Sequence, residues 1–355
     1  MVSIVLREVM KLVCKIVSRL IAFMILIISA TFCRYGDVKV VVRDAVCEDS
    51  VPLVNAISPL SRLNGLCVVD DHRFLLCSDE GVYLYKDGLQ SGQIGRNGRA
   101  TDEYLLPHLV RVEKDVIYIW CAMSLHFYLF DFNGNFINKI SYDSAISDFC
   151  VYDDYIVIYN AGKRKSNVID LYSLSRKEVV GTLMPSSDEH VALLRYFAND
   201  PLLIEDGVVY FSSKDDTEIF GYDLETESYI CYPEVAFHSD TFTKEKWRDG
   251  IDRWKYIDRN SLAVGLGKIK DDFVYLAMEG YVRNDEAVSD YADRYYSLYS
   301  LKGKKVCQTC FSYDSMGDPA LFCFYDGKLY YLYHYIKEEQ DHYELRYVNC
   351  SISSS

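Results

Sequence analysis

Short apolar runs along this chain break at acidic turns and resume as further apolar runs, six times over. The copies centre on Asp70-Asp71, Glu113-Lys114-Asp115, Asp153-Asp154, Glu205-Asp206-Gly207, Asp271-Asp272 and Asp326-Gly327. The flanks are short and rich in Val, Ile, Phe, Tyr and Leu, as in Val110-Arg111-Val112 before Val116-Ile117-Tyr118. Such flanks favour strands, and Asp-Asp or Asp-Gly tolerates the left-handed backbone of a tight hairpin. The turns recur roughly every 40 to 65 residues, the spacing of a propeller blade rather than of a helical repeat.

A second hairpin, rich in tyrosine, follows each acidic one. Its copies are Gly81 to Gly88, Phe127 to Phe136, Val168 to Leu174, Ile219 to Thr226, Tyr295 to Gly303 and Tyr343 to Val348. Two hairpins make four antiparallel strands, or one blade, so the pattern predicts an all-β, six-bladed propeller. The sixth unit ends too soon for its fourth strand. The run Val38-Lys39-Val40-Val41-Val42 is expected to fill that place and close the ring with the N-terminal strand. A two-sheet sandwich is the competing architecture, but twenty-odd short strands grouped in fours fit it poorly.

The first residues read differently. Arg7, Lys11, Lys15 and Arg19 precede the apolar run Leu20–Ile28, and small residues follow. Basic, apolar and small segments in that order describe a secretory signal over 1–33, with the propeller domain over 34–355. The apolar run is shorter than the ~20 residues of a spanning helix. Met10 also starts a complete signal, and an uncleaved anchor is the alternative. Cys33 stands where a lipoprotein carries its acylated cysteine, although Phe32 replaces the usual small residue. A lipid anchor and simple cleavage both remain open, and either places the protein in the cell envelope, periplasmic or on the outer membrane.

Charge and chemistry narrow the function classes. The chain carries 38 basic and 52 acidic side chains, and beyond residue 33 the balance is 34 against 51. That deficit of cations argues against nucleic acid and against anionic membrane surfaces, leaving a signal or lipid anchor as the only route to a membrane. Cysteines are read mainly as buried apolar side chains, with a Cys67–Cys77 disulfide as the alternative for that hairpin. Cys307 and Cys310 have redox-motif spacing but fall on a strand, where positions three apart face opposite ways. The histidines show no metal spacing, and neither a nucleophile elbow nor a phosphate loop is present. No cofactor and no metal is expected.

The string Gln93-Ile94-Gly95-Arg96-Asn97-Gly98-Arg99-Ala100-Thr101-Asp102-Glu103-Tyr104, followed by Phe130-Asp131-Phe132-Asn133-Gly134-Asn135-Phe136, is the most specific in the chain. It resembles the bacterial six-bladed β-propeller family related to the NHL-repeat and TolB-like propellers. Ala100, Thr101 and Asp102 depart from that family's Gly-Pro-Gly. The resemblance implies the fold and an envelope location, and no reaction.

Glycines suit this segment to a compact crossover between blades, on the face where propellers bind ligands. Arg96, Arg99, Glu103 and Tyr104 are the candidate ligand contacts there. A purely structural role, with Arg96 and Glu103 pairing with each other or with backbone, is the competing reading. Lys163, in the basic cluster Lys163-Arg164-Lys165, is expected on the same face. Trp247 and Trp254 recur with Ile251 and Ile257 at helical spacing and are expected on a lid helix able to stack on a sugar. A solvated loop tip and a plain covering helix are the respective alternatives. The expected role is a non-catalytic binding or scaffolding module for a glycan, peptide or envelope protein. A carbohydrate hydrolase or lyase on the same face is the runner-up, because paired carboxylates converge only in three dimensions.

Overall fold

The computed structural model describes residues 49–53, 63–160, 168–183, 202–211, 219–230, 262–269, 272–278, 294–300, 305–311, 321–337 and 340–349. All of them belong to one compact unit, Val42–Ser355. They form strands joined by turns, with no helix among the described residues.

Each acidic hairpin opens a four-stranded antiparallel sheet. Blade 1 is β2 (Leu63–Val68), β3 (Arg73–Ser78), β4 (Gly81–Lys86) and β5 (Leu89–Ile94). A short parallel bridge, β6 (Arg96–Asn97) with β7 (Glu103–Tyr104), lies in the crossover that follows. Blade 2 is β8 (Pro107–Glu113), β9 (Val116–Cys121), β10 (His126–Phe130) and β11 (Phe136–Ser141). Blade 3 is β12 (Ile146–Tyr152), β13 (Tyr155–Asn160), β14 (Val168–Ser173) and β15 (Glu178–Leu183). Blade 4 is β16 (Leu202–Glu205), β17 (Val208–Phe211), β18 (Phe220–Asp223) and β19 (Ser228–Ile230). Blade 5 is β20 (Leu262–Ile269), β21 (Asp272–Met278), β22 (Arg294–Ser300) and β23 (Lys305–Phe311).

Blade 6 carries the closure. Its strands β24 (Phe322–Tyr325), β25 (Lys328–Lys337) and β26 (Gln340–Asn349) are completed by β1 (Asp49–Pro52), which pairs antiparallel with β26. An N-terminal strand completes the sixth sheet, as expected, but the strand seen there is Asp49–Pro52, and the expected one was Val38–Val42. The latter run lies outside the described residues. Pairing β1 with β26 covers an edge that the chain's last strand would otherwise expose.

The innermost strands β2, β8, β12, β16, β20 and β24 neighbour one another in that order, and β24 returns to β2. Their close approach explains two glycines. A Cβ on Gly65 would stand 3.3 Å from the His108 carbonyl, and one on Gly267 would enter the Phe324 ring at 2.3 Å. Second strands are buried on both faces, so β3, β9 and β13 read as continuous apolar runs. Outermost strands such as β5 and β15 are mostly exposed.

The core forms layers between blades. Leu109, Trp120, Phe127, Phe149 and Ile158 join blades 2 and 3, and Cys77, Val82, Tyr104, Ile119 and Phe130 join blades 1 and 2. Burying each large apolar side chain contributes roughly 1.5–3 kcal/mol. The acidic turns add ion pairs between neighbouring blades, Lys328–Asp71 at 3.0 Å and Lys268–Glu205 at 2.8 Å among them. Such partly exposed pairs contribute about 0–1 kcal/mol each.

Cys67 faces Leu75 and Cys77 faces Gly65, two steps apart along the ladder that runs unbroken from the hairpin turn. Both thiols are free and buried, which removes the Cys67–Cys77 disulfide. Cys121, Cys150 and Cys323 are free as well.

Candidate functional site

We call the edge at which each outermost strand ends and the next innermost strand begins the upper edge. Between β5 and β8 it carries the crossover 95–106. Gly95 has φ +66, and a Cβ there would lie 2.6 Å from the Phe130 ring and 2.8 Å from Tyr104. Only glycine fits both the backbone and the space. Gly98 N–H donates to the Tyr104 carbonyl at 2.9 Å, and Glu103 N–H donates to that of Ala100 at 3.1 Å. The Glu103 carboxylate accepts from Ala100 N–H at 2.9 Å and fills the space beside Gly98, where a Cβ would stand 2.0 Å away. Ala100, Thr101 and Asp102 thus form a turn closed by Glu103, without the Gly-Pro-Gly of the related family.

Tyr104 is fully buried. Its hydroxyl donates to the Ile94 carbonyl at 2.6 Å and accepts from Val82 N–H at 3.1 Å, bridging two strands of blade 1. Its ring meets Tyr128 and Phe130 of blade 2 edge-on, with centroids 6.3 and 6.0 Å apart. The second half of the signature completes the joint. Asp131 accepts from the backbone N–H groups of Asn133 and Asn135 at 2.9 and 2.8 Å. Gly134 takes φ +79 and packs against the Gln93 carbonyl and the Gly95 amide. The two strings therefore occur together because they are the two faces of one inter-blade joint.

This geometry corrects one expected ligand contact, Tyr104, and shows what the carboxylate of another, Glu103, bonds to. Tyr104 presents no surface to solvent, and the Glu103 carboxylate is turned onto its own loop. Glu103 and Arg96 pair with each other through backbone. The guanidinium groups of Arg96 and Arg99 are exposed, and neither has a side-chain bond among the described residues. Lys163, Trp247, Trp254 and the proposed lipidation site Cys33 lie outside the described residues.

Three features of the upper edge escape a reading by strand alternation. Bulges recur near the start of β2, β8 and β12, where the ladder register steps past Asn64, His108 and Ser147. A bulge re-aims a side chain, and here each is polar and half-buried. Asn64 donates to the Asp79 carboxylate at 2.7 Å and to the Pro107 carbonyl at 3.2 Å. The available signal was a polar residue interrupting the start of an apolar run. Second, Leu106 has φ +49 and is 43% exposed, an uncommon state for a branched apolar residue. Third, Met123 is 70% exposed in the β9–β10 turn.

The next crossover, 142–145, is built on side chains. Tyr142 O–H donates to the Asp170 carboxylate at 2.5 Å and accepts from Asn160 Nδ2 at 2.8 Å. Thr182 donates to the other Asp170 oxygen at 3.0 Å, and Ser144 to Asn160 Oδ1 at 3.0 Å. Burial, together with the Asp170 carboxylate, pushes the Tyr142 phenol up.

Deeper inside, Arg111 on β8 donates to Asp148 at 2.5 Å, to the Phe149 carbonyl at 3.1 Å and to that of Val110 at 2.9 Å. It lies within electrostatic reach of the thiols of Cys67, Cys150 and Cys323, which come from the innermost strands of blades 1, 3 and 6. Burial pushes the Cys67 thiol up to about 12, so these groups stay protonated and unreactive at neutral pH. Arg111 ties blades 2 and 3 together, and its charge is already compensated. Among the described residues no group of three or more His, Cys, Asp or Glu side chains is arranged to hold a metal ion.

Six four-stranded antiparallel sheets in a closed ring define a six-bladed β-propeller. Residues 57–246, more than half of the chain, match the family DUF5128, described as a 6-bladed beta-propeller, and the chain belongs to that family. Its fold is similar to that of a candidate exported protein of Bacteroides fragilis, at a TM-score of 0.56 and 12% identity, over 84% of this chain and 94% of that one. It is equally similar to a member of the DUF4221 family from Bacteroides vulgatus, at a TM-score of 0.56 and 9% identity, over 85% and 97%. At these identities the likeness concerns the fold. No curated protein matches the chain.

Proposed function

We propose that this propeller is a non-catalytic recognition module of the bacterial cell envelope, which holds a glycan, a peptide or a partner protein at its upper edge. One observation carries the reading. Within the crossover 95–106 the glycines, Glu103 and Tyr104 are consumed in building a rigid joint, while Arg96 and Arg99 stand exposed on it without partners among the described residues. Rigid loops on a closed scaffold recognise ligands at little ordering cost. The basic–apolar start of the chain and the fold shared with a candidate exported protein support the envelope, with the membrane reached through the leader or a lipid on Cys33. The recognition needs neither cofactor nor nucleic acid.

The test is a binding screen of the full-length protein against glycan and peptide arrays, with product analysis of every hit. Saturable binding without turnover, weakened about tenfold by Arg96→Ala and Arg99→Ala together, is the expected result. Turnover of a bound glycan would overturn the non-catalytic reading and favour a hydrolase or lyase.

A further inference from the structure

Leu106 is placed against its own preferences. A left-handed backbone is unfavourable for any residue with a Cβ, and far more so for a branched one than for glycine. Elsewhere among the described residues positive φ falls mostly at hairpin turns, on Asp87, Lys114, Asp153, Lys177, Asp206, Glu227 and Asp326 or on glycine, where the turn demands it, and the other leucine, Leu125 in the β9–β10 turn, is half-buried against the core of blades 2 and 3. At Leu106 the strained backbone holds a large apolar side chain 43% exposed rather than burying it. Strain kept without a return in packing is a mark of a functional position.

A second exposed apolar side chain lies in the neighbouring β9–β10 turn. Pro107 pairs with Cys121 across β8 and β9, so Leu106 borders the turn that continues through Ala122 to Met123, itself 70% exposed. The same crossover presents Arg96 and Arg99 upstream, held in place by the pairing of Arg96 with Glu103. The patch therefore combines two apolar side chains with two cations that have no side-chain partner among the described residues, on a chain whose formal net charge is −14.

We infer that the upper edge between blades 1 and 2 is a docking site for an acidic–apolar peptide segment, in which an apolar side chain seats on Leu106 and Met123 and flanking carboxylates meet Arg96 and Arg99. This rests on the recognition reading above and names its partner class. Arginine forks match carboxylates bidentately, and methionine adapts to varied apolar partners, so the residue types suit a peptide better than the polar ring of a sugar.

The probe is a fluorescein-labelled decapeptide with a central leucine between glutamates, titrated against the full-length protein by anisotropy. Control peptides replace the glutamates by lysine or the leucine by serine. Leu106→Gly is the decisive variant, because glycine relieves the strain while removing the apolar contact. The expected result is about a tenfold loss of affinity for the acidic probe at an unchanged or raised thermal midpoint. Met123→Ala is expected to weaken binding similarly at an unchanged midpoint. Unaltered affinity in both variants overturns the inference. A lowered midpoint for Leu106→Gly also overturns it, since the leucine is then structural. Binding of a glycan that depends on Arg96 but ignores Leu106 overturns it too, while leaving the recognition reading intact. Silence toward every peptide overturns it as well, and silence toward glycans too leaves a partner protein as the ligand of the recognition reading.

Discussion

Two successive crossovers do the same mechanical job with different chemistry. Each leads from an outermost strand to the next innermost one, and each bolts two blades together with a buried tyrosine. Tyr104 bonds to backbone, at Ile94 and Val82. Tyr142 bonds to side chains, those of Asp170 and Asn160, which Thr182 and Ser144 orient in turn. The backbone version depends on chain geometry, which glycines secure. The side-chain version places a carboxylate that is 3% exposed at the centre of a polar network, and so depends on every member staying in place.

Alkali should separate the two crossovers most strongly. The first joint holds the buried thiols of Cys77 and Cys121 beside Tyr104, and burial raises all three groups. An unfolded thiol titrates near 8.5, so above that pH the unfolded chain gives up protons that the native joint keeps. The stability these groups contribute is complete below about pH 8.5 and is lost as pH rises toward their native values. By pH 10 each thiol should have cost about 2 kcal/mol. Urea midpoints measured from pH 7 to 10 should fall steeply, and Cys77→Ala with Cys121→Ala should make the fall shallower, the remainder coming from the buried thiols of Cys67, Cys150 and Cys323. A flat wild-type profile would show that these thiols titrate normally and that the joint is open to water.

Replacing Asp170 by alanine strikes the second crossover alone. It leaves the Tyr142 hydroxyl and the Asn160 amide without this acceptor in a buried site, while the exposed Thr182 turns to water, at a cost of roughly 3 kcal/mol. Tyr142→Phe should cost less. The double variant should cost little more than Asp170→Ala, because the two changes remove one shared interaction. Tyr104→Phe, which touches the other crossover, should add its full effect to either. Additivity between Tyr142 and Asp170 in urea denaturation would show that the buried network is not a unit.

The same contrast explains what the sequence disclosed. The repeated acidic hairpins imply four strands per blade because their signals are local, a turn residue between two apolar runs. The first crossover is legible as a string because its glycines answer to close approaches made by Phe130 and Tyr104, only 9 to 35 residues away. Its role is not legible. A conspicuous Gly-Arg-Asn-Gly-Arg segment invites a ligand, and Glu103 and Tyr104 turn out to serve the joint. The second crossover leaves almost no trace, since Asn160, Asp170 and Thr182 come from three separate strands of blade 3. The closing strand also escaped, because Val38–Val42 has the better β-propensity, while Asp49–Pro52 is selected by its pairing with β26. Leu106 is invisible in one dimension, its left-handed backbone being unforeseeable for leucine.

The smallest effect probes how tightly the first crossover is held. A Cβ at Gly98 would strike the Glu103 carboxylate at 2.0 Å, but that carboxylate is the end of a flexible side chain rather than a ring or a backbone. Glu103 can swing aside, and what is then lost is its bond to Ala100 N–H. Gly98→Ala should therefore cost about 1 kcal/mol, close to the cost of Glu103→Ala. Once one change has broken that bond, the second has nothing left to break, so the double variant should be no less stable than either single one. Denaturation of the three variants measures this directly. A cost for Gly98→Ala well above that of Glu103→Ala would mean that the loop backbone itself cannot accept the methyl group, and that the crossover is more rigid than its one carboxylate cap accounts for.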